Sequence, residues 1–270
     1  MRFTGIPLLL AAAFHVQGPR QDEHGLMTYT LTSEYQQGQN DVQVLLPDKL
    51  EKGRRYPVLY VLPVYASGSP DASGMPEAKR LNLHNEFGLI CVGPCFDRTL
   101  WYADHPTDPK IRQESYLLNV VLPFVEQNLP ALQEPRGRLL VGFSKSGWGA
   151  FSLLLRHPDV FGRAASWDAP LTMQSPGRFE TPMVFATQEN FDRYKITSLL
   201  QQRAELLKRG PARLVLLGHG NFVDDDLRLH EQMLALGIPH HHDHGPKRAH
   251  AWTSGWLRPA VALLTAGVLE

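Results

Sequence analysis

Two cysteines, Cys91 and Cys95, are few for a chain of 270 residues. A pair cannot build a disulfide framework or a four-thiolate zinc site, so neither holds this protein together. Both fall in "LICVGPCF", which reads as a buried thiol on a strand and a second thiol at its end. Net charge is also missing: 27 Lys and Arg balance 27 Asp and Glu, and no basic stripe is visible. A nucleic-acid partner is therefore not expected. Long apolar runs are absent too. The best candidate, Ile6 to Phe14, is too short to span a bilayer. What the chain does have is 43% hydrophobic and 20% charged residues, enough to bury a sizeable core.

The first residues outline a secretory signal. Arg2 precedes the apolar run, and Ala11 to Ala13 offer small residues to a peptidase, although Pro7 interrupts. Residues 1–24 are expected to be a signal peptide or a disordered N-terminus. Export to a periplasm or the exterior is the expectation, with the cytoplasm left open. Residues 25–270 are expected to form one domain, because no composition break divides them.

Along that domain, 27–33 and 40–47 alternate apolar and polar residues and read as half-buried antiparallel strands. Solid apolar runs at 56–63, 87–94 and 137–143 read as strands buried on both faces. Residues 113–129 and 146–158 have helical spacing. Residues 162–168, 181–188, 212–220 and 239–244 read as further strands, and 196–210, 224–237 and 254–267 as helices. Buried strands alternating with helices predict a three-layer α/β sandwich: a mostly parallel central sheet with antiparallel strands at its N-terminal edge. In such sheets, chemistry gathers at the carboxyl ends of the strands.

One such end is unusual. "LLVGFSKSGWGAF", 139–151, runs from a buried strand straight into a helix through Gly142, Ser144, Ser146 and Gly147. Crowding small residues around one serine suits a nucleophile on a strained turn, whereas an ordinary helix cap needs no such neighbours. The commonest version of this turn has glycine where Ser146 stands. Lys145 is not the base, because adjacent side chains on a turn diverge. Its backbone N–H is a candidate oxyanion donor.

With these residues in view, the chain resembles the esterase-D-type esterases of the α/β-hydrolase fold. The resemblance covers most of the chain. It rests on "GFSKSGWGAF" and "PKRAHAWTSGW", and more weakly on "YPVLYVLP", "WYAD" and "ESYLLNVVLPFVEQNL". It implies a wall at Trp101 and Tyr102 beside the substrate; Trp252 and Trp256, in the second of these stretches, are further candidates for that wall. It also implies a second oxyanion donor after the strand 56–63. The family has His-Gly there and this chain has Pro63-Val64. Proline has no N–H, so the backbone of Val64 or Tyr65 must serve.

The base is expected at His250, in the Gly/Pro loop between the last strand and last helix, where this fold delivers its imidazole after the serine and the acid. His240, His242 and His244 share one strand face and His241 takes the other. With no third ligand type visible, they read as a solvated edge strand, and neither a metal nor a cofactor is assigned. The acid is the difficulty. The family's position for it is Asn221 here, which cannot stabilise an imidazolium by charge. Asp168, closing the strand 162–168, is preferred. Asp224 is the alternative and Asp225 a weaker one, since 224–226 read as the acidic first turn of a helix.

The expected protein is a serine hydrolase that cleaves small carboxylic esters, carbohydrate esters among them, through an acyl-enzyme. Its partner is a small-molecule ester. An acyltransferase of the same fold, or a ligand-binding protein with an incomplete triad, are the alternatives.

Overall fold

The structure, a computed structural model, describes residues 14–67 and 72–268. The candidate signal features at Arg2 and Ala11 to Ala13 lie outside the described residues. Nine strands form one sheet in the order β1-β2-β3-β5-β4-β6-β7-β8-β9. They are β1 (His15–Gln21), β2 (Met27–Thr32), β3 (Gln39–Leu45), β4 (Val58–Val61), β5 (Ile90–Pro94), β6 (Arg138–Phe143), β7 (Arg163–Trp167), β8 (Leu214–Leu217) and β9 (His240–Asp243). The first three pair antiparallel, and β3 joins β5 antiparallel. From β5 through β4 to β9 every pairing is parallel. The sheet begins before the expected boundary at residue 25, because β1 pairs along β2 as an exposed edge.

Two cores form because successive side chains of a strand face opposite ways. Tyr60 and Leu140 point to one core, Leu59, Val61, Leu139 and Val141 to the other. The helices Ser144–Arg156, Ile196–Leu207 and Val223–Ala235 cover the first face. Met75–Arg80 and Leu257–Thr265 cover the second. These are the three layers the alternation predicts. No helix among the described residues is long and apolar enough to cross a membrane.

Two segments depart from expectation. Residues 181–188 are not a strand: they hold a short helix, Pro182–Phe185, and the start of a second, Gln188–Asp192. A short apolar run carries no decisive period. Here Pro182 opens the first helix, and Thr187 Oγ1 accepts the Asn190 N–H to cap the second. Phe185 and Phe191 then pack on Trp148. The helix expected over 113–129 widens into a π turn at Leu117–Val121 before resuming at Leu122–Asn128. Pro123 accounts for the widening. It offers no N–H, and its ring collides with the carbonyl four residues back.

Candidate active site

β6 ends at Phe143, and the next residue, Ser144, has φ of 52°. A non-glycine residue there is strained and persists only when its surroundings hold it. Several contacts do. The Ser144 N–H donates to the Asp168 carbonyl at 3.2 Å. Ser146 Oγ donates to the Phe143 carbonyl at 2.9 Å and accepts the Phe143 N–H at 3.1 Å. The residue that looked like a defect in the motif therefore closes the turn. Gly142 must stay bare, since a Cβ there would come within 2.4 Å of the Ser146 carbonyl group. At Gly149 a Cβ would lie 2.1 Å from the Tyr102 ring, so this glycine seats the helix.

β7 lies beside β6 with Trp167 opposite Phe143, so Asp168 and Ser144 emerge side by side at adjacent strand ends. Asp168 also has a left-handed backbone, φ 43°, and is 3% exposed. Its Oδ2 lies 2.5 Å from His250 Nδ1. An ionised carboxylate only accepts, so the proton on Nδ1 faces it. The other oxygen, Oδ1, accepts the backbone N–H groups of Asn221 at 2.6 Å and Phe222 at 2.8 Å. Burial alone would raise this carboxyl. The His250 bond and the amides of Phe222 and Gly220 outweigh it and hold the group below its ordinary value. A Cβ on Gly220 would meet Asp168 Oδ2 at 2.5 Å, so this loop approaches only as glycine.

The Asn221 position therefore supplies a donor to the acid in place of being the acid. Asp224 is turned away: its side chain is 75% exposed and 3.8 Å from Arg228. Asp225 caps Thr172, accepting its N–H at 2.8 Å and its hydroxyl at 2.7 Å. The His250 ring is boxed by Phe143, edge-on at 5.0 Å between centroids, and by Phe222 at 5.8 Å. Since Phe143 immediately precedes Ser144, this packing sets the imidazole next to the serine turn. Of the two side-chain links in this trio, Asp168 to His250 is formed and Ser144 Oγ to the imidazole is not. In ligand-free sites such bonds commonly tighten only with substrate.

Of the backbone donors, Lys145 N–H stands at the start of the helix Ser144–Arg156, where no carbonyl of the same helix can take it. Val64 is excluded from the second place, because its N–H already donates to the Ala72 carbonyl at 2.9 Å. Tyr65, half-exposed beside Lys145, is the remaining candidate. Lys145 Nζ turns to Glu180 Oε2 at 2.9 Å, away from any role as base. The Cys91 thiol is pushed up to about 12 by burial and is no competing nucleophile.

The "Putative esterase" family matches residues 97–251, more than half the chain, and that stretch contains Ser144, Asp168 and His250. The chain belongs to this family. Among curated proteins it is similar to Esterase Rv1288 of Mycobacterium tuberculosis, at 29% identity over 138 residues. That match takes in 49% of this chain and 30% of the relative, so the chain spans under a third of that protein. Among solved structures, a ferulic acid esterase superposes with TM-score 0.72 at 19% identity, covering 89% of this chain and 98% of the other. An S-formylglutathione hydrolase from Agrobacterium tumefaciens gives TM-score 0.68 at 18% identity, over 92% and 95%. These establish the α/β-hydrolase fold.

Against the family pattern, the wall expected from Trp101, Tyr102 and Trp252 needs correction. Trp101 and Tyr102 are buried at 0% and 1% exposure and cannot touch a substrate in this structure. They act from beneath. Trp101 Nε1 donates to the Phe179 carbonyl at 3.0 Å, bracing Phe179 and Glu180, both at positive φ. Tyr102 Oη donates to the Pro63 carbonyl at 2.5 Å, fixing the loop that carries Tyr65. Trp252 packs against Phe143 and Trp167, and its edge joins Ala72 and Cys95 in lining a cleft. Phe222, half-buried, touches the His250 ring and packs on Phe179, while Glu180 and the half-exposed Tyr65 both meet Lys145 Nζ, next to Ser144. Sequence reasoning passed over Phe179, Glu180 and Phe222. Its one available signal was an aromatic directly after Asn221. Replacing Tyr102 with Phe leaves the buried Pro63 carbonyl without a donor, at about 1–3 kcal/mol. We expect Tyr102→Phe to lower kcat on a short-chain ester with little change in KM, because the loop rather than the binding surface is loosened.

Proposed function

We propose that this protein is a serine hydrolase of carboxylic esters working through an acyl-enzyme. Ser144 Oγ attacks the ester carbonyl carbon, and His250 Nε2 takes its proton. The N–H groups of Lys145 and Tyr65 receive the carbonyl oxygen as it becomes an oxyanion. The tetrahedral intermediate collapses, the C–O bond breaks, and His250 returns the proton to the leaving alcohol. Water, deprotonated by the same imidazole, then attacks the acyl carbon and releases the acid and Ser144. Asp168 holds Nδ1–H and balances the charge of the imidazolium. The chemistry calls for no cofactor.

The observation that carries this reading is the 2.5 Å contact between Asp168 and His250. It sits beside a serine held at positive φ. It supports an enzyme over a non-catalytic binding protein, an alternative motivated by Asn221 at the acid position and by Pro63 in the oxyanion loop. The substrate is a small ester that meets Ser144 beside the half-buried Phe222. A carbohydrate ester met outside the cytoplasm fits the signal-like start of the chain, in one α/β-hydrolase domain. A fluorophosphonate probe tests the core of the proposal. It should label folded wild-type protein once, at Ser144, and leave Ser144→Ala unlabelled. Folded wild-type protein that stays unlabelled and cleaves no nitrophenyl ester would remove the assignment.

A further inference from the structure

The histidines of β9 are not merely solvated. Asp226, on the helix Val223–Ala235, meets His242 of β9 and His244 just beyond the strand's end. Its Oδ2 lies 3.0 Å from His242 Nε2 and 3.0 Å from His244 Nδ1. The three donor atoms all fall within 4.8 Å of one another. Asp226 is 2% exposed, and its second oxygen, Oδ1, is buried without a hydrogen-bond partner. Among the described residues, no lysine or arginine pairs with it, and its only ion-pair partners are these two imidazoles. A buried carboxylate with half its acceptor capacity unused is costly unless something else satisfies it.

We propose that Asp226, His242 and His244 bind a divalent transition-metal ion of the zinc class. Two imidazoles and a carboxylate suit zinc, cobalt or nickel, whereas calcium and magnesium prefer oxygen alone. Ligands at about 2.0–2.1 Å from a tetrahedral zinc stand about 3.3 Å apart. The two N···O separations of 3.0 Å need to open by only a few tenths of an ångström, and the two imidazole nitrogens, within 4.8 Å of each other, need to come to about the same spacing. Both rings already aim at a shared point because strand alternation puts His242 and His244 on one face. Their orientation is fixed by stacking, His242 on His230 at 3.8 Å and His244 on His219 at 4.1 Å between centroids. His244 is partly exposed and leaves solvent a route to a fourth position.

The site would join two segments that matter elsewhere. The helix bearing Asp226 starts just after Phe222, whose N–H holds Asp168. His244 opens the loop that ends at His250. A bound ion would therefore clamp the loop carrying the imidazole to the helix that follows the donors of its carboxylate partner. The proposal does not depend on the esterase reading, because binding is measured without turnover.

The test uses the untagged chain, stripped with chelator and titrated with zinc chloride alone by calorimetry. One equivalent should bind and raise the melting temperature. His244→Ala and Asp226→Asn should each weaken binding more than about 100-fold, beyond the 10–100-fold typical of outer-shell partners. His241→Ala, on the exposed opposite face, should bind as wild type. Histidine ring signals of wild-type protein, followed by NMR during the titration, should move first at His242 and His244, so the assignment survives a variant that fails to fold. No saturable binding, or binding that survives both substitutions, or ring shifts confined to His230 and His240, would overturn the proposal.

Discussion

Ser144→Ala should reduce ester turnover by about 10⁶-fold, and His250→Ala by a similar factor, with the double variant no worse than either alone. The reason is that the hydroxyl and the imidazole act as one unit. Without a base the serine is a weak nucleophile, and without the serine the base has no proton to take in the first step. The residual rate should come from the Lys145 and Tyr65 donors and from binding, which neither substitution touches. Ser144→Ala should fold, because the turn is held by Ser146, Gly142 and backbone bonds rather than by the Ser144 hydroxyl. Single-turnover kinetics on a nitrophenyl ester, with melting curves for each variant, measures this. Losses that multiply in the double variant would mean that the two side chains do not act together.

How much of this could be read in the sequence depends on whether a feature is local. The serine turn was legible because its geometry forces small residues at fixed offsets from Ser144, and those offsets are visible in one line of sequence. The buried strands were legible for a similar reason: a strand covered on both faces must be apolar throughout. Trp101 and Tyr102 were misread because an aromatic pair beside a site looks the same whether it faces a substrate or props a loop. Only the packing of Tyr102 on Gly149 and its bond to Pro63 distinguish the two. Val64 and Tyr65 could not be separated, since the carbonyl that occupies the Val64 N–H comes from Ala72, which no local pattern ties to it. The partner of His242 and His244 was invisible for the same reason. Asp226 lies 16 residues from His242 in sequence and meets it only when the helix docks on the edge of the sheet. The run 181–188 failed differently: its apolar residues suit a strand by composition, and Pro182 and Thr187 turn them into helix.

Asp168→Asn should cost about 10⁴ in kcat, the scale for converting a triad carboxylate to its amide. An asparagine at 168 can still accept the N–H groups of Asn221 and Phe222, so the loop should keep its place. What it loses is the charge that stabilises the imidazolium, and the fixed tautomer that leaves Nε2 as acceptor. Asp224→Asn should stay within about twofold, as expected of an exposed substitution worth under about 0.5 kcal/mol. Asp225→Asn should act on stability through Thr172 rather than on rate. A pH signature separates charge from geometry. The folded-state pKa of Asp168 is depressed, so the hydrogen bonds its carboxylate accepts stabilise the fold above the ordinary carboxylate range, and that stabilisation is lost as pH falls through the lowered value. The acid-side fall in melting temperature should therefore be shallower in Asp168→Asn than in wild type, and unchanged in Asp224→Asn. If Asp168→Asn kept near-wild-type kcat while Asp224→Asn lost it, the acid would have to approach His250 from the helix Val223–Ala235. The pairing of Asp168 with His250 would then be a resting contact without a part in turnover.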